Sequence, residues 1–246
     1  MDLAERPETT LRRHPWEVAR ARFFLDRLPA SPGRVLDVGA GDAYLANRLV
    51  QEHASAEVVC QDLLYTDQDL ASLAAQTSAS IQFCRDLPEG PFDTILLLDV
   101  LEHVPDDLDF MRELMPRLAP EGRLVFSIPA WPMLFSSHDR SLAHHRRYTP
   151  ADAKRVLTQS GLVPLASGGL FHSLLAPRAL QVGVERLTGR KGRAHDLGWR
   201  AGPLISRLVD TALTLDTRLS GLLSRSPLEA PGLSWWAVCG RSSADG

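Results

Sequence analysis

A short apolar strand, Arg34–Val38, runs directly into Gly39-Ala40-Gly41-Asp42-Ala43, and residues 44–51 then read as a helix. No other feature narrows the choice of folds as much. Two glycines so close together let the backbone turn sharply and approach a ligand where a side chain would obstruct. A strand that turns through them into a helix opens a βαβ unit. The pattern then continues: residues 57–60, 81–84, 92–98 and 123–128 read as strands, with helices at 67–76 and 108–118. The largely apolar 92–98 suits a strand covered on both faces. Strands alternating with helices over this length argue for a parallel, doubly wound sheet. Upstream, Val18, Ala21, Phe24, Leu25 and Leu28 fall at helical spacing before Pro29. Downstream, Thr149 as N-cap with Pro150 at the first helical position starts a helix that Gly161 ends. A strand follows near 162–166, and 234–239 is the last.

Between those two strands lies an insert, 170–232. Within it Leu204, Ile205, Leu208, Val209, Ala212, Leu215, Leu219, Leu222 and Leu223 share one helical face. That stripe reads as packing against the sheet, or else as a lid over an apolar substrate. Arg186, Arg190, Lys191, Arg193 and Arg200 form a basic loop, either solvated or in contact with an anion or a membrane surface.

At 246 residues and 44% hydrophobic, the chain can bury a core as one domain, 1–246, that includes this insert. Its apolar runs, such as 95–98, are too short to span a bilayer, and residues 1–16 lack a signal-peptide core. Cys60, Cys84 and Cys239 are odd in number and without a CxxC pair, which points to a reducing cytoplasmic setting. A formal charge of −3 gives no push toward nucleic acid. Peripheral membrane contact stays open.

The glycine turn could serve a dinucleotide or a methyl donor. A dinucleotide fingerprint needs a small residue at the sixth place of GxGxxG, where helix packs on strand, and here that place is Tyr44. Asp37, two residues before the first glycine, also suits a cationic methionine group better than a pyrophosphate. At Asp37, Gly39 and Gly41 the chain resembles the first motif of class I S-adenosylmethionine-dependent methyltransferases, with Ala43 in place of the last glycine. That resemblance implies a Rossmann-like sheet of seven strands, mostly parallel with the last antiparallel, and a helical insert before it. It also implies that Asp62, beside Leu63, accepts the ribose hydroxyls, that Asp86 and Leu87 hold the adenine, and that Asp99 lies beneath the cofactor. His14-Pro15-Trp16 with Arg20 is similar to an N-terminal motif of a bacterial subgroup, which places Arg20 at the cofactor and Trp16 near the substrate. Four acids at the carboxyl ends of four successive strands stand where ligands of open α/β sheets bind.

Methyl transfer from a sulfonium needs an in-line nucleophile, excluded water and, for a hydroxyl or protonated amine, a base. His103 and His144 are the candidate bases, because histidine titrates near neutrality. His138, Asp139, Arg147 and Tyr148 leave the carboxyl end of the fifth strand and are candidate acceptor contacts. The expected acceptor is a small molecule such as a glycan, lipid-linked or natural-product intermediate, with oxygen preferred to nitrogen or carbon. Asp99, Glu102, His103 and His144 also resemble, in spacing, the metal ligands of methyltransferases that modify small-RNA 3′ ends, so a metal-assisted O-methyltransferase is an alternative that is not favoured. A dinucleotide oxidoreductase and a non-catalytic cofactor-binding module are the remaining readings.

Overall fold

The computed structural model describes residues 13–189, 201–224 and 230–242. In chain order the elements are α1 (Pro15–Leu25), β1 (Arg34–Val38), α2 (Tyr44–Glu52), β2 (Glu57–Gln61), α3 (Asp67–Gln76), β3 (Ile81–Cys84) and β4 (Phe92–Leu98). There follow α4 (Asp107–Leu114), β5 (Leu118–Pro129), α5 (Ser137–Ser141), α6 (Pro150–Gln159), β6 (Leu162–Leu170), α7 (His172–Thr188), α8 (Pro203–Leu223) and β7 (Ser234–Arg241). The seven strands make one sheet in the order β3-β2-β1-β4-β5-β7-β6. The first five pair in parallel, and β7 runs antiparallel to both neighbours. This is the doubly wound, Rossmann-like sheet that the sequence implies, with α7 and α8 between its last two strands.

Each strand divides its side chains between two cores, as a period of two requires. Leu36, Val38, Ile95, Leu97, Leu124 and Phe126 meet Met111 and Leu114 of α4 and Val156 and Leu157 of α6. From the opposite face Val35, Leu96, Val125 and Trp236 meet Phe23 and Phe24 of α1 and Ala46 and Leu49 of α2. Thr149 caps α6 by accepting from the Asp152 amide, with Pro150 in the first turn, as expected. The strand near 162–166 runs on to Leu170 because Ser167-Gly168-Gly169 pair with β7. A Cβ at Gly169 would stand 2.4 Å from the Ala230 carbonyl oxygen, so only glycine lets the two backbones close up there.

The insert departs from the expected packing. Helix α8 does not turn its leucines to the sheet: Leu204, Leu208, Leu215 and Leu222 are 75%, 71%, 59% and 64% exposed. It docks instead through Ser206, Leu213, Asp216 and Ser220, all buried. The cause is a polar obligation at the start of α7, whose N-cap, Phe171, offers no side-chain acceptor. Asp216 supplies one, accepting from the His172 amide at 2.9 Å and the Ser173 amide at 2.7 Å. A carboxylate at a helix N-terminus is favoured by both the free amides and the helix dipole, and meeting it fixes which face of α8 points inward. Of the basic loop, Arg186 belongs to α7, whereas Arg190, Lys191, Arg193 and Arg200 lie outside the described residues. Among the described residues no helix is long and apolar enough to cross a membrane.

This orientation makes Leu213→Ala cost about 2–4 kcal/mol through an unfilled cavity, while Leu208→Ala stays within about 0.5 kcal/mol. Urea unfolding of the two variants measures both, and the reverse ranking would mean that α8 docks by its leucine face.

Candidate active site

From β1 the chain passes through Gly39 at φ 66° and Gly41 at φ 56°, conformations that an L side chain rarely adopts. A Cβ at Gly39 would also meet Val100 Cγ2 at 2.8 Å. Ala43 is fully buried at φ 57°, so a residue with a Cβ occupies the left-handed region in this turn at roughly 1–2 kcal/mol of strain. Asp62, at the end of β2, ties this loop to its own: Oδ2 accepts from the Gly41 amide at 3.0 Å and Oδ1 from the Leu64 amide at 2.9 Å. The Tyr65 hydroxyl donates to the Gly41 carbonyl at 2.8 Å, closing the bridge. Leu63 and Asp86 are exposed beside it, and Leu87 is partly buried against the core.

Asp37 is buried one turn earlier, and loss of solvent pushes its carboxyl up to about 7 despite the nearby Arg20. Arg20 reaches in from α1 to pair with Asp99 at 2.6 Å, its guanidinium 5.7 Å from the Trp16 ring centre. Asp99 closes β4 at φ 55° and accepts from the Ser127 hydroxyl at 3.0 Å. Trp16 itself stands edge-on to Phe171, ring centres 6.2 Å apart. Arg13 pairs with Asp42 and lies 3.9 Å from the centre of the Tyr44 ring, so the large residue that spoils a dinucleotide fingerprint is a platform for a cation.

The histidines are assembled by the segment after β5. Arg146 donates to the Val104 carbonyl at 3.1 Å and to Asp107 at 3.2 Å, and the Tyr148 hydroxyl donates to Asp107 at 3.0 Å. The His145 amide donates to the Glu102 carbonyl at 2.7 Å. These bonds clamp the segment to the 3-10 turn Leu101–His103 and bring His103 and His144 edge to face, ring centres 4.6 Å apart. Behind His144 lies Asp139, wholly buried at the heart of a charge network. Its Oδ1 faces His144 Nδ1 at 3.3 Å and accepts from Arg147 Nε at 2.6 Å, while Oδ2 accepts from Arg178 Nη2 at 3.0 Å and the Ser136 amide at 2.9 Å. Burial alone would raise this carboxyl, but the hydrogen bonds from His144 and Arg147 and the arginine charge hold it well below the usual carboxylate range. Glu102 is the opposite case. It is buried with Oε2 unpartnered, and desolvation and then the Asp99 charge push its carboxyl well up.

The sequence-derived residues thus form two groups. Asp37, Gly39, Gly41, Asp62 and Asp99 frame the ends of β1, β2 and β4, with Arg20 over them. His103 and His144 form the second group, with His138 half-buried nearby in α5. Asp139, Arg147 and Tyr148, read from sequence as acceptor contacts, are instead buried, and their polar atoms bond to protein. Sequence reasoning missed Arg178, which comes from the insert to complete the Asp139 network, and Tyr65 and Arg13, which brace the glycine loop. No local pattern marks Arg178, which shares its face of α7 with Gln181 and Glu185.

Residues 11–167 match the family model described as a methyltransferase domain. The chain is 27% identical over 175 residues to trans-aconitate 2-methyltransferase of Azoarcus sp. (strain BH72), covering 68% of this chain and 66% of that protein. It is 31% identical over 132 residues to ubiquinone biosynthesis O-methyltransferase of Xanthomonas euvesicatoria pv. vesicatoria (strain 85-10), covering 50% of this chain and 54% of the relative. The match therefore spans about half to two thirds of these relatives' lengths. In fold the chain is similar to geranyl diphosphate methyltransferase in complex with SAM, at a TM-score of 0.58 and 18% identity over 92% of this chain and 85% of that one.

Two outcomes follow from the buried acids. Asp139→Ala leaves Arg147 and Arg178 buried without their counter-charge and costs about 3–5 kcal/mol in denaturant unfolding. The Asp37 carboxyl titrates at about 7 when folded and near about 4 when unfolded. Between those values the folded state binds the extra proton, so stability falls as pH rises through this window. Asp37→Asn removes that slope, and the stability measured from pH 4 to 8 should flatten by about 4 kcal/mol in that variant.

Proposed function

The chain belongs to the methyltransferase domain family, and from that premise we propose that it transfers the methyl group of S-adenosylmethionine to a small-molecule acceptor, an oxygen before a nitrogen or carbon. The observation that carries this reading is the set of acids at the strand ends, with Asp62 already aligned between two loops by backbone amides. Their chemistry fits the donor: Asp37 for its cationic methionine end, Asp62 for two neighbouring hydroxyls, and Asp86 with Leu87 for the adenine. When bound, the cofactor supplies an electrophilic methyl carbon. The chain's own residues hold and orient the two reactants and exclude water, and that positioning carries much of the rate.

Proton removal falls to the histidines. In the tautomer that donates from Nδ1 to Asp139, His144 keeps a lone pair on Nε2 with which to take the acceptor's proton. Asp139, held ionised by Arg147 and Arg178, favours the imidazolium that results. His103, packed against that ring, narrows its freedom. The relatives named for trans-aconitate and for ubiquinone biosynthesis support a small acceptor.

A second reading adds a divalent cation. Glu102, His103 and His144 each offer a ligand atom, and these atoms all lie within 4.8 Å of one another. The unpartnered, buried Glu102 Oε2 and the carboxylate behind His144 suit a mixed oxygen and nitrogen ligand set with an outer-shell anchor. Asp99, the fourth ligand suggested by the sequence, is paired with Arg20 instead. A metal there would lower the pKa of an acceptor hydroxyl, the task the first reading gives to His144.

Calorimetry with S-adenosylhomocysteine checks the cofactor assignment: Asp62→Ala should weaken binding by about tenfold or more, and an unchanged Kd would sink it. His144→Ala should abolish turnover while leaving that Kd intact, and wild-type turnover would remove the residue from the mechanism. Elemental analysis and activity after chelation separate the two readings, since a metal-free, fully active enzyme excludes the second.

A further inference from the structure

The outward face of α8 contributes no side chain to the two groups of site residues described above. Leu204, Leu208, Leu215, Leu219 and Leu222 recur every third to seventh residue and are all exposed, while Ser206, Asp216 and Ser220 on the opposite side of the helix are buried. At 21 residues α8 is about 31 Å long, so the stripe is a continuous apolar ridge rather than scattered surface leucines. Apolar surface of that extent marks a site of contact with something else.

The charges beside the ridge identify what it fits. On α8 itself the exposed charged residues are Arg207, Asp210 and Arg218. The two arginines lie along one edge of the leucine stripe, and Asp210 lies farther round toward the docked side, by helical spacing. On the adjoining α7, Leu180, Val184 and Leu187 are exposed at helical spacing together with Arg186, which donates to the Met133 carbonyl at 2.7 Å, while Glu185 accepts from the Ser137 amide. In sequence, the stretch between the two helices carries Arg190, Lys191, Arg193 and Arg200 against Asp196 alone. An apolar stripe with a cationic border is the pattern of a helix lying in the plane of an anionic lipid surface. A second copy of the chain fits less well, because antiparallel pairing through this ridge would set Arg207 and Arg218 of one molecule against the same arginines of the other.

We propose that α8 is a peripheral membrane-docking element, its leucine ridge entering the headgroup boundary of an anionic bilayer and its arginines meeting the lipid phosphates. This goes beyond the methyltransferase reading and does not depend on it. Burial of the ridge draws on the hydrophobic effect, and the arginines add an attraction that salt screens.

The test is co-sedimentation of the full chain with vesicles of phosphatidylcholine alone or containing about one-third phosphatidylglycerol. The expected result is about tenfold more protein pelleted with the anionic vesicles, reduced by high salt, and lost in the double variant Leu208→Asp/Leu215→Asp. Both positions are exposed, so the variant should keep the wild-type circular dichroism and affinity for S-adenosylhomocysteine. Equal pelleting of wild type and variant overturns the proposal, as does no pelleting with anionic vesicles. A wild-type dimer in light scattering that the variant splits, without vesicle binding, assigns the ridge to a second copy instead. Loss of S-adenosylhomocysteine binding in the wild type would count against the proposed reaction and leave the vesicle result standing.

Discussion

Between β1 and β4 the chain changes its direction of travel across the sheet: β2 and β3 build outward on one side, β4 and β5 on the other. The loops leaving β1 and β4 therefore part, and a crevice opens at the carboxyl ends of the strands. Asp37, Asp62 and Asp99 stand at or just beyond the carboxyl ends of β1, β2 and β4, on the side where that crevice opens. The sheet beneath is buried on both faces, so its main-chain ends are stiff, and the functional side chains inherit that stiffness. The two groups of site residues also meet beyond one strand, since Asp99 directly follows β4 and His103 comes four residues later.

The histidine group rests on a different principle. Its loops follow no regular ladder, and a buried carboxylate holds them: Asp139 gathers His144 and Arg147 from the segment after α5 and Arg178 from α7. Taking these charges out of water is costly unless each is paired and hydrogen-bonded, which is why Ser136 and the Ala130 carbonyl are drawn in as well. The same network that orders the histidine thus fastens the insert to the body of the protein.

The sheet was legible in the sequence because its signals are local: apolar strands, a glycine turn, and helix starts such as Thr149-Pro150. The strand-end acids were legible for the same reason, each placed by the strand that precedes it. Asp139, Arg147 and Tyr148 were seen as polar residues in a functional loop, but what decides their task is which partner they find in space. Arg178 was invisible for that reason, being contributed from a different helix. The leucines of α8 misled in an instructive way. Periodicity reports that a helix has two unlike faces, and it does not say which face the rest of the chain claims. Here the amides at the start of α7 claim the polar one through Asp216.

The hydrogen bonds of Asp62 to the Gly41 and Leu64 amides carry a thermodynamic meaning of their own. They choose the rotamer of that carboxylate and the path of the glycine loop together, independently of any ligand. The entropy of ordering both is met during folding. Under the proposed reading, a ligand with neighbouring hydroxyls would meet an acceptor already shaped, which lowers the ordering cost of association.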